Sequence, residues 1–289
     1  MKKNEQGIVR WIAVFMLCIF FGTYGSAWGA EKQPVFDVVT VDATITPPIA
    51  EYLLQSIQES SGRSSDGLII LLDTPGGLDS SMREIAKGIL NAPLPVIVFV
   101  HPAGARAASA GVIITIAAHV AAMTPGTNIG AAHPVGIGIG GQMDKTMAEK
   151  VEKDAVAYVK GIAKKRGRNE EWAANSVLKS ESITAEEALR LGVIDVVASD
   201  VHQLLVQLDN RRVETSKGER ILKTRNALIR QKDMGMRLRI LSVVSNPNIA
   251  YILLLVGLAG LYFEFANPGV ILPGVIGGMS LILAFFALQ

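Results

Sequence analysis

Ser109 lies in Gly104-Ala105-Arg106-Ala107-Ala108-Ser109-Ala110-Gly111, a run of small residues between an apolar segment at 96–100 and another at 112–118. If the second segment is a helix, Ser109 stands at its start. Unpaired backbone N–H groups and the helix dipole favour a developing negative charge there. A serine so placed can act as the nucleophile of acyl transfer, with Ala110 beside it as a candidate cleft-lining residue. The same position is where serine most often serves as a plain helix cap, and the loop alone does not separate the two. It is not the hydrolase elbow G-x-S-x-G, because Ala107 occupies the first glycine position. A second loop, Asp73-Thr74-Pro75-Gly76-Gly77, leaves an apolar segment at 68–72. Gly76 and Gly77 allow a sharp turn and present bare N–H groups, the donors that an oxyanion needs. Pro-Gly-Gly is also an ordinary strand-to-helix turn.

A serine nucleophile requires a base that is neutral at working pH. The histidines are His101, His119, His133 and His202, and none has the setting of a triad partner. His133, in Ala-Ala-His-Pro-Val, is the best placed, and is read as lining or supporting a cleft. Among the lysines, Lys145, Lys150 and Lys153 fall in a helical pattern at 144–165. At 100° per residue, Met147, Val151, Ala155, Tyr158 and Ile162 form one apolar stripe. Lys145 and Lys153 fall on the opposite face, whereas Lys150 borders the stripe. A boundary lysine can equally snorkel to water. At an ordinary pKa only about one lysine in 2,500 is neutral at pH 7, so the reading expects Lys150 to be desolvated. Asp154, one turn on, would oppose this if it paired closely with Lys150, and is read instead as hydrogen-bonding a loop or orienting the helix.

The elements around these loops read as α/β. Short apolar runs at 35–41, 68–72, 96–100 and 193–198 suit strands buried on both faces. Between them lie helical patterns with start and stop signals. Pro47-Pro48 opens one, Asp79 caps the next, and Thr184 with Glu187 forms a capping box for a third that Gly192 ends. The glycine run at 136–141 reads as a flap over the cleft. No Gly-Lys-Ser/Thr follows it, so it is a poor phosphate cradle.

The chain is 49% apolar over 289 residues, which directs attention to membrane segments. Residues 1–30 read as an export signal or an N-terminal anchor. Lys2, Lys3 and Arg10 precede an apolar run at 11–21, and small residues follow. The single cysteine, Cys18, excludes an intrachain disulfide. Residues 34–210 form the α/β domain, and 211–248 read as a charged linker or interfacial helix. Residues 249–289 read as a transmembrane hairpin turning at Asn267-Pro268-Gly269, the start of a longer membrane region. The net charge of +2 is not gathered into a stripe, so nucleic acid is not expected as a partner.

Taken together, Asp-Thr-Pro-Gly-Gly after one strand and Ala-Ala-Ser-Ala-Gly after the next resemble the Clp protease/crotonase superfamily. The stretch from Thr124 through Asn128, Gly130 and His133 to Val135, with Gly167-Arg168-Asn169, strengthens the likeness. With the two terminal apolar regions, the chain resembles the NfeD family of membrane-bound serine peptidases, relatives of signal peptide peptidase A. That resemblance implies a spiral of ββα units and a Ser109–Lys150 dyad with its oxyanion hole at Gly76-Gly77. It calls for no cofactor or metal. It also implies a peptidase domain outside the cytoplasm and apolar substrate segments in membrane proteins such as stomatin-like ones, with a homodimer left open. Two other functions remain open at this stage. One is an acyl-CoA enzyme of the same fold, and the other is a membrane scaffold without catalysis.

Overall fold

The structure is a computed structural model that describes residues 33–63, 65–135, 144–267 and 271–287. The N-terminal segment with Cys18, read from the sequence as an export signal or anchor, the glycine run at 136–141, and Pro268-Gly269 lie outside the described residues.

From Pro34 onward the chain forms one unit. It begins with β1 (Val35–Asp42), α1 (Pro47–Gly62), β2 (Gly67–Asp73), α2 (Asp79–Leu90) and β3 (Val96–Val100). Next come β4 (Arg106–Ala108), α3 (Ala110–Ala117), β5 (Val120–Met123), β6 (Asn128–Gly130) and the long α4 (Lys145–Lys165). Then follow α5 (Glu170–Leu178), β7 (Ser182–Thr184), α6 (Ala185–Arg190), β8 (Val196–Val197) and α7 (Val201–Leu208). The chain continues through β9 (Arg212–Thr215), β10 (Gly218–Ile221), β11 (Leu228–Gln231) and α8 (Met236–Val244). It ends in α9 (Pro247–Ala266) and α10 (Ile271–Ala287).

The main sheet has strand order β11-β1-β2-β3-β5-β8, and every pairing is parallel. Parallel strands covered on both faces need apolar side chains on both faces, which is why Gly-Leu-Ile-Ile-Leu-Leu and Val-Ile-Val-Phe-Val show no alternation. One face carries Ile70, Val98 and Ala121 against α1 to α5. The other carries Ile69, Ile97, Phe99 and Val120 against α7 and the β9–β10 hairpin. A second sheet, β4-β6-β7, stands beyond the carboxyl ends of the main strands. The capping box at Thr184 and Glu187 is present as expected.

Residues 211–248 depart from the linker reading. β9 and β10 pair as a hairpin, and β11 extends the main sheet at its β1 edge, with Val35 opposite Leu228. Asp37 in β1 is fully buried, and Arg230 in β11 donates to it at 2.6 Å. Ser60 and Ser65 hydroxyls complete its shell. Burial pushes this carboxyl up, but the hydrogen bonds from Arg230, Ser60 and Ser65 outweigh that and hold it below the usual carboxylate range. The segment is charged because β11 is an edge strand with solvent on one side.

At the C-terminal end, α9 carries a 19-residue apolar stretch from Asn248 to Ala266 with mean hydropathy 2.0 and little of it buried. It packs on α10 through glycines. A Cβ on Gly260 would stand 2.5 Å from the Pro273 carbonyl oxygen and 2.8 Å from the Gly277 Cα. The backbones therefore touch, as in packed membrane helices.

Candidate active site

Both loops singled out in the sequence leave carboxyl ends of adjacent parallel strands, where open α/β sheets place their ligands. They are bolted to each other. Thr74 N–H donates to the Arg106 carbonyl at 2.8 Å and Ala108 N–H to the Thr74 carbonyl at 3.1 Å. Asp73 accepts the Arg106 N–H at 3.0 Å. The backbone of Ser109 is therefore fixed relative to Gly76-Gly77 before any substrate arrives.

Ser109 has φ 52° and ψ −113°, a conformation that a residue with a Cβ rarely adopts. Its N–H donates to the Gly130 carbonyl at 3.0 Å, so β6 helps to hold it there. The side chain does not cap the helix that follows, which removes the plain helix-cap reading. Strain of this kind persists where surrounding structure over-determines it, commonly at functional sites.

The backbone donors nearby differ from expectation in one place. Gly76 N–H is taken by the Thr74 hydroxyl at 3.1 Å, so it is not free to meet an oxyanion. Ile45 N–H reaches the Gly76 carbonyl at 2.7 Å and Leu78 N–H reaches the Ile45 carbonyl at 2.9 Å. This bridge leaves Gly77 N–H on the opposite side, without a partner among the described residues. Ala110 N–H, at the first position of α3, also has none among them. Sequence reading treated Ala110 only as lining. The signal that it carries a donor was its place at N1, where an intrahelical partner does not exist.

The cleft next to Ser109 has a volume of about 640 Å³. Its walls are Gly77 and Met82 from the α2 side, Ala110 and Ile113 from α3, and Val151, Ala155 and Tyr158 from α4. Ala132, Pro134 and Val177 close it. Lys150 borders the same cleft as Ser109, whereas Lys145 and Lys153 do not. Lys150 is nevertheless exposed, and Met147 with it, because only Val159, Ile162 and Ala163 of α4 are buried. The expected desolvation of Lys150 is thus not supplied by the described residues.

Asp154 does not turn to Lys150. Arg83 of α2 takes it, donates also to Asp79 at 2.8 Å, and stacks over the Tyr158 ring at 4.3 Å. Burial of Arg83 works against its charge, but its bonds to Asp79 and then Asp154 outweigh that and raise its pKa.

No histidine lines this cleft, although His133 stands in the loop beside it. His133 holds its loop to α5, with Nδ1 3.0 Å from the Val177 carbonyl, and is 3.7 Å from Glu152. His101 stacks on Phe99 and meets Thr124. His119 is buried, accepts the Val96 N–H, and is pushed down to about 3, chiefly by burial. His202 is exposed on α7. At the far end of α3 two arginines cover its last carbonyls. Arg168 donates to Ile116 at 2.6 Å and Ala118 at 2.9 Å, and Arg166 donates to Ala117 at 2.8 Å. Asp195 anchors Arg168 in turn. The helix that presents Ser109 is thereby fixed at both ends. Among the described residues no cluster of side chains suits a metal ion.

The parallel six-stranded sheet, with the serine at a strand-to-helix junction, defines an α/β fold. Residues 35–217 match the NfeD1b N-terminal domain and 248–289 match the NfeD integral membrane domain, so the chain belongs to the NfeD family and carries its membrane region. It is 36% identical over 226 residues to the membrane-bound protease PH1510 of Pyrococcus horikoshii, covering 76% of this chain and 51% of that one. It is 28% identical over 270 residues to membrane protein NfeD1b of Bacillus subtilis, covering 89% and 56%. The chain thus spans about half the length of these curated relatives. Among solved structures it resembles the 1510-N membrane protease specific for a stomatin homolog from Pyrococcus horikoshii. That likeness has a TM-score of 0.65 at 30% identity, over 74% of this chain and 100% of that one. A lysine-to-alanine variant of 1510-N, solved with a substrate peptide, superposes with a TM-score of 0.68 at 31% identity, over 74% and 98%.

Proposed function

We propose that this protein is a membrane-anchored serine endopeptidase in which Ser109 is the nucleophile and Lys150 the base. The observation that carries it is the strained Ser109, uncommitted as a cap, in one cleft with Lys150 and beside the unpartnered N–H groups of Gly77 and Ala110. Elimination supports the choice of base. Of the other titratable groups on the cleft wall, Asp79 and Asp154 are held by Arg83, an arginine does not deprotonate, and burial pushes the Tyr158 phenol up.

Neutral Lys150 Nζ takes the Ser109 Oγ proton as Oγ bonds to the scissile carbonyl carbon. The oxyanion so formed is met by Gly77 and Ala110 N–H. As the C–N bond breaks, the Lys150 ammonium returns the proton to the leaving amine. Water, deprotonated by Lys150, then hydrolyses the acyl-enzyme. Met82, Ile113, Ala155 and Val177 suit an apolar side chain beside the scissile bond. This fits an apolar segment of a membrane protein, and the 1510-N relative makes a stomatin-like protein the first candidate. The peptidase domain is read as extracytoplasmic.

The test is labelling of the full chain in detergent micelles by a serine-directed fluorophosphonate, together with cleavage of an apolar peptide. Both are expected in the wild type and absent in Ser109→Ala, a loss of about 10⁴-fold or more in turnover. Labelling that persists in Ser109→Ala would point to another nucleophile. A wild type with neither activity would leave the scaffold reading standing.

A further inference from the structure

Lys150 presents a chemical difficulty. Asp154 is one helical turn away, and an aspartate four residues from a lysine is within pairing reach. Such a pair would hold the amine charged and make it useless as a base. The structure places Asp154 instead in the grip of Arg83, whose guanidinium is fixed by Asp79 on its own helix and by the Tyr158 face. Lys150, Asp154 and Tyr158 recur every four residues and so share one face of α4, the face towards α2. We propose that Arg83 is the positioning residue that keeps Lys150 usable as a base, by holding the Asp154 carboxylate off it. This rests on the serine–lysine reading above.

The link is poorly suited to a purely structural role. The Arg83 and Asp154 side chains are 33% and 66% exposed, a setting in which an ion pair contributes little to stability. Yet the Lys150-bearing half of α4 does not rest on the core. Among the described residues, two polar contacts join that half to other elements: Arg83 with Asp154, and His133 with Glu152. The titratable and charged groups around this stretch of α4 can be named. α2 brings Asp79 and Arg83. α4 itself brings Glu149, Glu152, Lys153 and Asp154, with Lys153 already 3.7 Å from Glu149. The loop at 131–135 brings His133. α3 has no titratable side chain, and α5 meets the cleft through Val177. Arg83 is therefore the cation placed to decide where Asp154 points.

The experiment measures the fluorophosphonate labelling rate of Ser109 against pH, using the full chain in detergent micelles. The rate rises with pH as the base loses its proton. Arg83→Gln frees Asp154 and is expected to move the midpoint up by about one pH unit. Asp154→Asn breaks the same link from the other side but removes the carboxylate, and is expected to move the midpoint down. Arg83→Gln with Asp154→Asn should return it towards the wild type. A purely structural clasp predicts that all three variants lose rate alike without this pattern, and that result would overturn the proposal. If Arg83→Gln does not fold, Asp154→Asn carries the test, and a raised midpoint there is the contrary result. A wild type whose labelling survives Lys150→Ala overturns the serine–lysine reading and this inference with it. A Lys150-dependent wild type with an unmoved Arg83→Gln profile overturns only the inference.

Discussion

Gly76 lies so close to Ser109 that a Cβ built on it would stand 2.6 Å from the Ser109 Cβ and 3.1 Å from its Oγ. Gly76 also has φ +117°, outside the range that side chains tolerate. Gly76→Ala should therefore strain its own backbone and push the serine out of place together. A displacement of about 1 Å at a reacting atom commonly costs about 10²-fold. The labelling rate should fall by that order, with a stability loss of about 1–2 kcal/mol. A variant that labels at the wild-type rate would show that the close approach has no part in positioning Ser109.

The three lysines of α4 separate by position. Lys150 borders the cleft, Lys153 is 3.7 Å from Glu149 on the outer face, and Lys145 is exposed at the helix start. Lys150→Ala should remove turnover almost as completely as Ser109→Ala, because a nucleophile and its base act as a unit. Lys145→Ala and Lys153→Ala should stay within a few-fold of the wild type in the same peptide assay. Lys150 being exposed, its desolvation in this scheme comes from the substrate. The acidic limb of the kcat profile, measured with peptide bound, should then lie at lower pH than that of kcat/KM, which reports the free enzyme. Coincident limbs would argue against that.

The sequence made the α/β domain and both loops legible because their signals are local. Continuous apolar runs announce doubly covered parallel strands, and glycines mark places where backbones approach. What it hid depends on partners distant in the chain. Gly76 reads as a free donor until Thr74 is seen folded back onto it. Asp154 reads as a residue that bonds a loop or orients its helix, and only the fold shows that Arg83, 71 residues away, is what holds it. β11 looks like linker because four residues at a sheet edge carry no periodicity that could identify them. The burial expected for Lys150 follows from its border place on the helical wheel. The wheel does not show that half of α4 projects beyond the core.

His119 makes the fold sensitive to mild acid. Its folded pKa is about 3, well below the ordinary value of 6.5, so the native state holds it neutral. The unfolded chain binds the extra proton between those values. Stability is then complete above pH 6.5 and is lost as pH falls below it, by about 2 kcal/mol at pH 5. The urea midpoint of the full chain in detergent micelles should drop accordingly between pH 7 and pH 5. In His119→Gln most of that dependence should vanish, even if the variant is less stable at pH 7. An unchanged slope in the variant would assign the acid sensitivity to other groups.

Arg230 should hold the edge strand in place through a single buried carboxylate. Asp37 has no exposed surface and receives Arg230, Ser60 and Ser65. Arg230→Met removes the cation and leaves the carboxylate with two hydroxyls, which should cost on the order of 2 kcal/mol because Arg230 itself is partly exposed. The loss should be local first. Amides of 228–231 should exchange hydrogen faster while those of β2 and β3 stay protected. Asp37 is held below its ordinary pKa, so the stability it contributes is present above about pH 4 and disappears as pH falls below that. The wild-type advantage over Arg230→Met should shrink in the same range. Adding Asp37→Asn to Arg230→Met should recover part of the loss, because a buried amide is cheaper to leave half-satisfied than a buried charge. If the double variant is the less stable of the two, the pair acts through packing of the arginine stem, and its charge is incidental.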